Sequence, residues 1–306
     1  MPQLRPPFRA ALLAPRHWPA WIGLAAIVLT AAMPRAFLMR IGRRLGGIAA
    51  QVFGERRHVA ARNLALCFPE LDPATRATML EENLRDSGPM LVEFAQAWMG
   101  SARAIERINV QFDGLEHLES ARAAGHGVLL VGAHFSHLEL CARLLSQRIG
   151  IAGMYREHDD DAFEWAIKRA RLRYADAMFR KEELRKSVRY LKAGGTLWYA
   201  PDQDMRGKDA VFAPFFGVPA ATITATHHLA RLSGAKVIGF FHHRRDDGGY
   251  AIRLEAPLVD FPSTNIVADT TRVNALIERM VREAPTQYLW MHKRFKTRPP
   301  GEADVY

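Results

Sequence analysis

Beyond about residue 100 the chain alternates short β-rich apolar runs with windows in which apolar residues recur every three or four positions. The pattern predicts strands at 127–133, 151–155, 196–200, 237–242, 250–254 and 288–291. Between them it predicts helices from about Ser136, then over 161–174, 182–192, 221–233 and 265–283. Upstream, Asp72-Pro73 opens a long helical pattern to about Trp98, with Asp72 as N-cap and Pro73 at the first helical position. Alternating β and α units imply an α/β fold with a mostly parallel central sheet flanked by helices on both faces. In such a fold, sites gather at the carboxyl ends of strands.

The amino-terminal part has a different texture. Residues 18–33 carry no charge and lie between Arg16 and the group Arg35, Arg40, Arg43 and Arg44. As a helix the segment would span roughly 24 Å against a hydrocarbon core of roughly 30 Å, so it reads as a membrane-anchoring helix, with a full span and a shallow anchor both open. Tryptophans at one end suit the interface. A cleaved signal peptide is the rival reading, because basic residues precede the run and Thr30-Ala31-Ala32 resembles a cleavage site. Residues 37–53 keep apolar residues at helical spacing beside arginines, as an interfacial helix does. The expected division is therefore a membrane anchor and interfacial helix at 1–45 and an α/β domain at 46–306. Arginines after the apolar run outnumber those before it, which places the body on the cytoplasmic side.

Composition narrows the partners. Of 306 residues 49% are hydrophobic and 24% charged, as in a folded chain, and the net charge of +10 calls for an acidic counterpart. No helix-turn-helix, zinc-finger or RNA-binding signature accompanies that charge, so nucleic acid is not the expected partner. Cys67 and Cys141 are too few for a disulfide framework and show no metal-ligand spacing, so both are expected to be buried thiols in a reducing compartment. The adjacent pairs His227-His228 and His242-His243 do not converge easily on one ion, so no metal is expected. There is no Gly-rich phosphate loop, and no nucleotide cofactor is implied.

The stretch LLVGAHFSHLELC, residues 129–141, ends a buried-looking strand in an imidazole and reaches a carboxylate five positions later. On a continuous helix His134 and Glu139 would stand about 140° apart, so they meet only across a strand-to-helix turn. Ser136 and Glu139 form an S-x-x-E capping box that would start the helix and turn Glu139 back towards His134. In the functional reading His134 is a general base whose tautomer Glu139 orients, as the acid does in a serine-histidine-aspartate triad, and the base activates a substrate hydroxyl. In the structural reading Glu139 caps its helix and His134 is a satisfied histidine. His137 is taken as a bystander.

The segments HFSHLE, MYREHD, RARLR, WYAPDQD and QYLWMHKRFKTRPPG, with LLAPRHWPAWIG and ARNLALCFPE upstream, resemble in order and spacing the late acyltransferases of lipid A biosynthesis. These form the lauroyl/myristoyl branch of the lysophospholipid acyltransferase superfamily, and the likeness covers nearly the whole chain. It implies that His134 and Glu139 fill the H-x-x-x-x-D/E motif as base and partner. It also implies that Arg171 and Asp202 are functionally important, that acyl carrier protein is the acyl donor, and that the acceptor is a hydroxyl on a hydroxyacyl chain of a Kdo-bearing lipid A precursor in the inner membrane. The chain transferred would be lauroyl. Myristoyl and palmitoleoyl donors, another lipid acceptor, and a non-catalytic membrane-surface binding protein stand as alternatives.

Arg169 and Arg173 share a helix face from which Arg171 points away, so a solvated basic face accounts for two of the three. Asp202 follows a buried-looking strand and Pro201; an ion pair with Arg171 and an orienting role are expected of it. The terminal cluster His292, Lys293, Arg294, Lys296 and Arg298 reads either as a solvated tail or as a basic rim for phosphates and an acidic carrier, with Arg294 and Lys296 as substrate contacts. Phe215-Phe216 reads either as a tunnel wall or as core.

Overall fold

The computed structural model of the chain describes residues 3–52 and 54–306. Among the described residues nine strands form: β1 (Val110–Asp113), β2 (Val128–Val131), β3 (Ala152–Tyr155), β4 (Ala177–Arg180), β5 (Thr196–Tyr199), β6 (Ala210–Phe215), β7 (Val218–Ile223), β8 (Lys236–Arg244) and β9 (Tyr250–Leu254). Seven of them make one sheet in the order β1-β9-β8-β2-β5-β3-β4, while β6 and β7 pair as a separate hairpin. Every neighbouring pair in the large sheet is parallel except β8 with β9. The expected α/β class with a mostly parallel, helix-flanked sheet is therefore the fold observed.

Residues of β2 alternate between two cores, because successive side chains of a strand leave on opposite faces. Leu129 and Val131 enter a cluster with Leu64 of α3 (Gly54–Cys67), Leu84 of α4 (Pro73–Ser87), Leu229 of α11 (Ala225–Ser233) and Leu276 of α12 (Ile266–Glu283). Val128 and Leu130 enter the other, with Trp98 of α5 (Met90–Met99), Leu118 of α7 (Leu115–Ala123), Leu140 of α8 (Leu138–Leu145) and Ile167 of α9 (Asp161–Arg171). All four β2 residues are fully buried, as a strand covered on both faces requires. The short α6 (Ala102–Glu106) precedes β1, and α10 (Leu184–Lys192) lies against β5.

Three local expectations change, the first being that the helix expected over 221–233 begins only at Ala225, because residues up to Ile223 pair with β6 as β7. Asp72 does cap α4, its carboxylate accepting from the amides of Ala74 and Thr75, but the single helix expected to about Trp98 is two. Gly88-Pro89 separates α4 from α5, and Pro89, having no N–H to donate, stands at the N-cap of the second. The strand expected at 288–291 is reduced to one isolated bridge between Phe135 and Tyr288. Carbonyls of this segment instead accept side-chain amides: Asn63 donates to Trp290 and Asn83 to Tyr288.

At the amino terminus, α1 (Trp18–Ala32) and α2 (Arg35–Val52) form. No described helix is long and apolar enough to cross a membrane, so the transmembrane form of the expected anchor is not present among the described residues. Fifteen residues make about 22 Å of helix before Met33-Pro34 ends α1. One side of α1 lies on α5 and α9 with Leu24 buried, and the other leaves Trp18, Ile22 and Leu29 exposed. The interfacial helix expected over 37–53 coincides with α2, whose final expected residue, Phe53, lies outside the described residues. Helix α2 packs on α4 and α5, and the expected division between 45 and 46 falls within it.

Candidate active site

Parallel pairing of β2 with β5 sets Val131 opposite Tyr199, and the ladder continues through the amide of Gly132 to the carbonyl of Tyr199. His134 and Asp202 each follow three residues after those partners, so register alone brings them together at the carboxyl ends of adjacent strands. His134 Nδ1 lies 2.6 Å from Asp202 Oδ1, and the amide of His134 donates to Oδ2 at 2.9 Å. The hydroxyl of Tyr288 donates to the same Oδ2 at 3.0 Å. Burial disfavours charge on both groups, yet mutual attraction and hydrogen bonding prevail: the His134 imidazole is raised and the Asp202 carboxyl is lowered to about 2. With Nδ1 committed to Asp202, Nε2 is the atom left for chemistry, and the side chain is 27% exposed.

Glu139 does not orient His134. Its Oε2 accepts from Trp98 Nε1 at 2.9 Å and from Arg171 Nε at 3.2 Å, and Arg171 Nη2 bonds its other oxygen. The reason lies in the turn: the expected capping box does not form. His137 holds the N-cap position of α8 without a side-chain cap, and the Ser136 hydroxyl accepts from Arg244 instead. Glu139 thus leaves the first turn of α8 towards α5 and α9. Arg171, expected beside Asp202, is taken by Glu139 and lies near the rings of Trp98 and Tyr155. Burial opposes its charge, but Glu139 raises its pKa.

A cavity of about 710 Å³ opens onto His134, walled by Met154, Tyr155, Trp198, Val188 and Leu229, with exposed Arg156, Lys181 and Arg206 among its lining. A narrow, mainly apolar slot shares Met154, Tyr155 and Trp198 with it and is closed by Glu139, Arg171 and Met178. Beside the base, His292 stands with its ring centre 6.1 Å from that of His134 and accepts from Gln203 Nε2 at 2.8 Å. Burial and the neighbouring His134 lower its pKa.

The remaining basic residues scatter. Arg169 of α9 bonds the carbonyl of Pro6, while Arg173 lies past the end of α9 and bonds that of Trp98, so the helix face expected to carry both is not formed; neither lines the cavity at His134. Arg294 is not on a rim: it is 3% exposed and donates to Ala221 O and Thr222 Oγ1. Lys293 pairs with Glu55 and Arg298 with Glu302, leaving Lys296 exposed. Phe215 and Phe216 pack against Phe68, Phe295 and Trp290 as core.

Both cysteines are buried, as expected, and Cys141 stands beside two histidines. His137 and Cys141 are four apart at the start of α8, and their ligand atoms and one of His242 all lie within 4.8 Å of one another. The sequence pattern does not distinguish Tyr288 and Trp98, which hold the two acidic groups. Each is an aromatic in an apolar run, and only the tertiary fold reveals what its polar edge meets.

Similarity to known proteins follows the same lines. The family described as bacterial lipid A biosynthesis acyltransferase matches residues 5–297. The chain is 37% identical over 303 residues to the lipid A biosynthesis lauroyltransferase of Escherichia coli K12, covering 98% of this chain and 99% of the relative. It is 38% identical over 303 residues to the palmitoleoyltransferase of the same strain, covering 98% of each. To the myristoyltransferase it is 29% identical over 311 residues, covering 98% of this chain and 94% of that one. With a histidine held by an aspartate at adjoining strand ends and this likeness along its length, the chain belongs to the bacterial lipid A biosynthesis acyltransferase family and is an acyltransferase.

Proposed function

We propose that the enzyme moves a lauroyl group from acyl carrier protein to the hydroxyl of a hydroxyacyl chain on a Kdo-bearing lipid A precursor, with His134 as general base. The observation that carries this reading is the imidazole fixed through Nδ1 by Asp202 while its other nitrogen borders a largely apolar cavity. Nε2 takes the hydroxyl proton as the oxygen attacks the thioester carbonyl. The resulting oxyanion collapses, the carbon–sulfur bond breaks, and the departing thiolate recovers the proton from Nε2. Asp202 stabilises the imidazolium between those steps, as the acid of a triad does. Neither cysteine is suited to carry an acyl group, because burial drives both thiols well above their ordinary range.

Glu139 and Arg171 serve this reading as positioning residues that seat α8 and close the slot, and Arg156, Lys181 and Arg206 offer positive charge to phosphates and to an acidic carrier. Arg169, Arg173, Arg294 and Lys296 are not assigned a substrate contact. The exposed apolar side of α1 and the arginines of α2 support a body resting on the cytoplasmic surface of the inner membrane.

The test is to incubate the purified enzyme with Kdo-bearing precursor and a panel of acyl carrier protein thioesters, then weigh the products. A mass gain of one lauroyl group supports the reading; transfer only from another thioester, or to a precursor lacking Kdo, overturns the corresponding part. His134→Ala should lose about 10²- to 10⁴-fold in rate. A non-catalytic binding protein would show no mass gain at all.

A further inference from the structure

His242 lies on β8 with its side chain on the α8 side of the sheet, and it is fully buried. Neither of its ring nitrogens has a hydrogen-bond partner. A buried polar group of this kind calls for an explanation, since native folds pair nearly all of them. Two further groups converge on it. The ring of His137 stands edge-on to that of His242 at 4.8 Å between centres, and Cys141, one helical turn beyond His137, is fully buried too. One ligand atom from each of the three lies within 4.8 Å of the others. A histidine and a cysteine four apart on one helix face, completed by a histidine from a neighbouring strand, is a donor set for a thiophilic ion.

We propose that His137, Cys141 and His242 form a buried binding site for one thiophilic d10 cation, Zn²⁺ or Cu⁺. Bonds of about 2.0–2.3 Å to such an ion require the three atoms to draw inward by about 1 Å, within reach of small side-chain rotations. Burial keeps both imidazoles neutral, the form that ligates: His137 is held well below its ordinary value and His242 at about 3. The thiol is protonated in the same surroundings, so binding releases its proton as the metal–sulfur bond forms. Thiolate and Cu⁺ together are neutral, whereas Zn²⁺ leaves one positive charge beside the Glu93 and Arg244 pair. The ion would tie the start of α8 to β8. Phe135, whose ring meets His242 at 5.5 Å and Tyr288 at 5.6 Å, connects that tie to the residue that holds Asp202.

The test uses the full-length, tag-free protein purified without chelator. Elemental analysis should find about one Zn or Cu per chain, reduced to background in Cys141→Ser and in His242→Phe. Independently of any variant, Co²⁺ added to metal-stripped wild type should give a thiolate-to-cobalt charge-transfer band, and Zn²⁺ or Cu⁺ added under reducing conditions should raise its melting temperature. Competition with a Cu⁺-selective chelator separates the two ions. Substoichiometric metal in the purified protein, with no charge-transfer band and an unmoved melting temperature, overturns the site. No acyl-transfer assay enters these readouts, so the outcome is separate from that of the proposed reaction.

Discussion

The proton between His134 and Asp202 lies in a 2.6 Å contact, and its position fixes how the rate depends on pH. A general base works only while neutral, so activity rises with pH through the pKa of the imidazole. Asp202 raises that pKa above the ordinary 6.5, which moves the acid limb of the profile to higher pH than a free histidine would give. Asp202→Asn removes the negative charge while keeping the shape. The expected outcome is an acid limb displaced to lower pH and a plateau lowered by about 10²- to 10⁴-fold, because the amide no longer stabilises the imidazolium. A pH profile of kcat/KM for both proteins checks this; an unmoved limb would show that another group titrates. Tyr288→Phe removes one donor from Asp202 and should lower the rate with a much smaller displacement of the limb.

Between elements, Glu139 of α8 and Arg171 of α9 form a clamp, with side chains only 18% and 11% exposed. Removing one partner strands the other charge, which costs about 3 kcal/mol, whereas removing both together costs much less. Denaturant unfolding should therefore show Arg171→Leu strongly destabilised and Glu139→Gln/Arg171→Leu recovering more than half the loss. Purely additive single effects would mean the clamp carries no coupling. Backbones also touch where α2 meets the end of α4: a Cβ on Gly88 would stand 1.9 Å from the carbonyl oxygen of Gly42, whereas one on Gly23 meets nothing within 4 Å. Gly88→Ala should thus lower stability by about 1–3 kcal/mol or more, and Gly23→Ala in α1 should raise it by about 0.5–1 kcal/mol. Paired thermal melts check both.

These contacts also mark where the sequence is readable. Strands β2 and β9 follow from apolar runs and alternation, and the cap at Asp72 from local chemistry, because both signals are carried by neighbours in the chain. His134 and Asp202 were legible as strand-end groups, but their pairing depends on β2 lying beside β5, which no local pattern states. The partners of Glu139 are illegible for the same reason: Trp98 and Arg171 arrive from two other helices. Arg294 looked like one more charge in a basic tail, and only the hairpin of β6 and β7 shows it buried against Thr222.

At the scale of the whole molecule, the question is how a chain whose described helices include none able to cross a membrane reaches a lipid acceptor. Trp18, Ile22 and Leu29 are exposed on α1, Ile22 by 72% and Leu29 by 67%, while Phe37, Leu45 and Ile48 are exposed on α2. Arg40 and Arg44 are exposed on α2 as well, and the chain as a whole carries a net +10. Apolar side chains entering the interface and arginines meeting anionic headgroups would reinforce each other, the second contribution weakening with salt and the first persisting. Burying each of Ile22 and Leu29 is worth about 1.5 kcal/mol or more, so Ile22→Glu/Leu29→Glu should weaken vesicle partition by about 10²-fold or more. The measurement is co-sedimentation with phosphatidylethanolamine/phosphatidylglycerol vesicles at low and high salt, beside a thermal melt. Both positions face away from the core, so the melt should stay close to that of the unaltered protein. Equal partition of the two proteins would locate the membrane-seeking surface elsewhere. Reduced partition with an unchanged melt would identify α1 as a helix that lies along the bilayer with its exposed apolar side towards lipid.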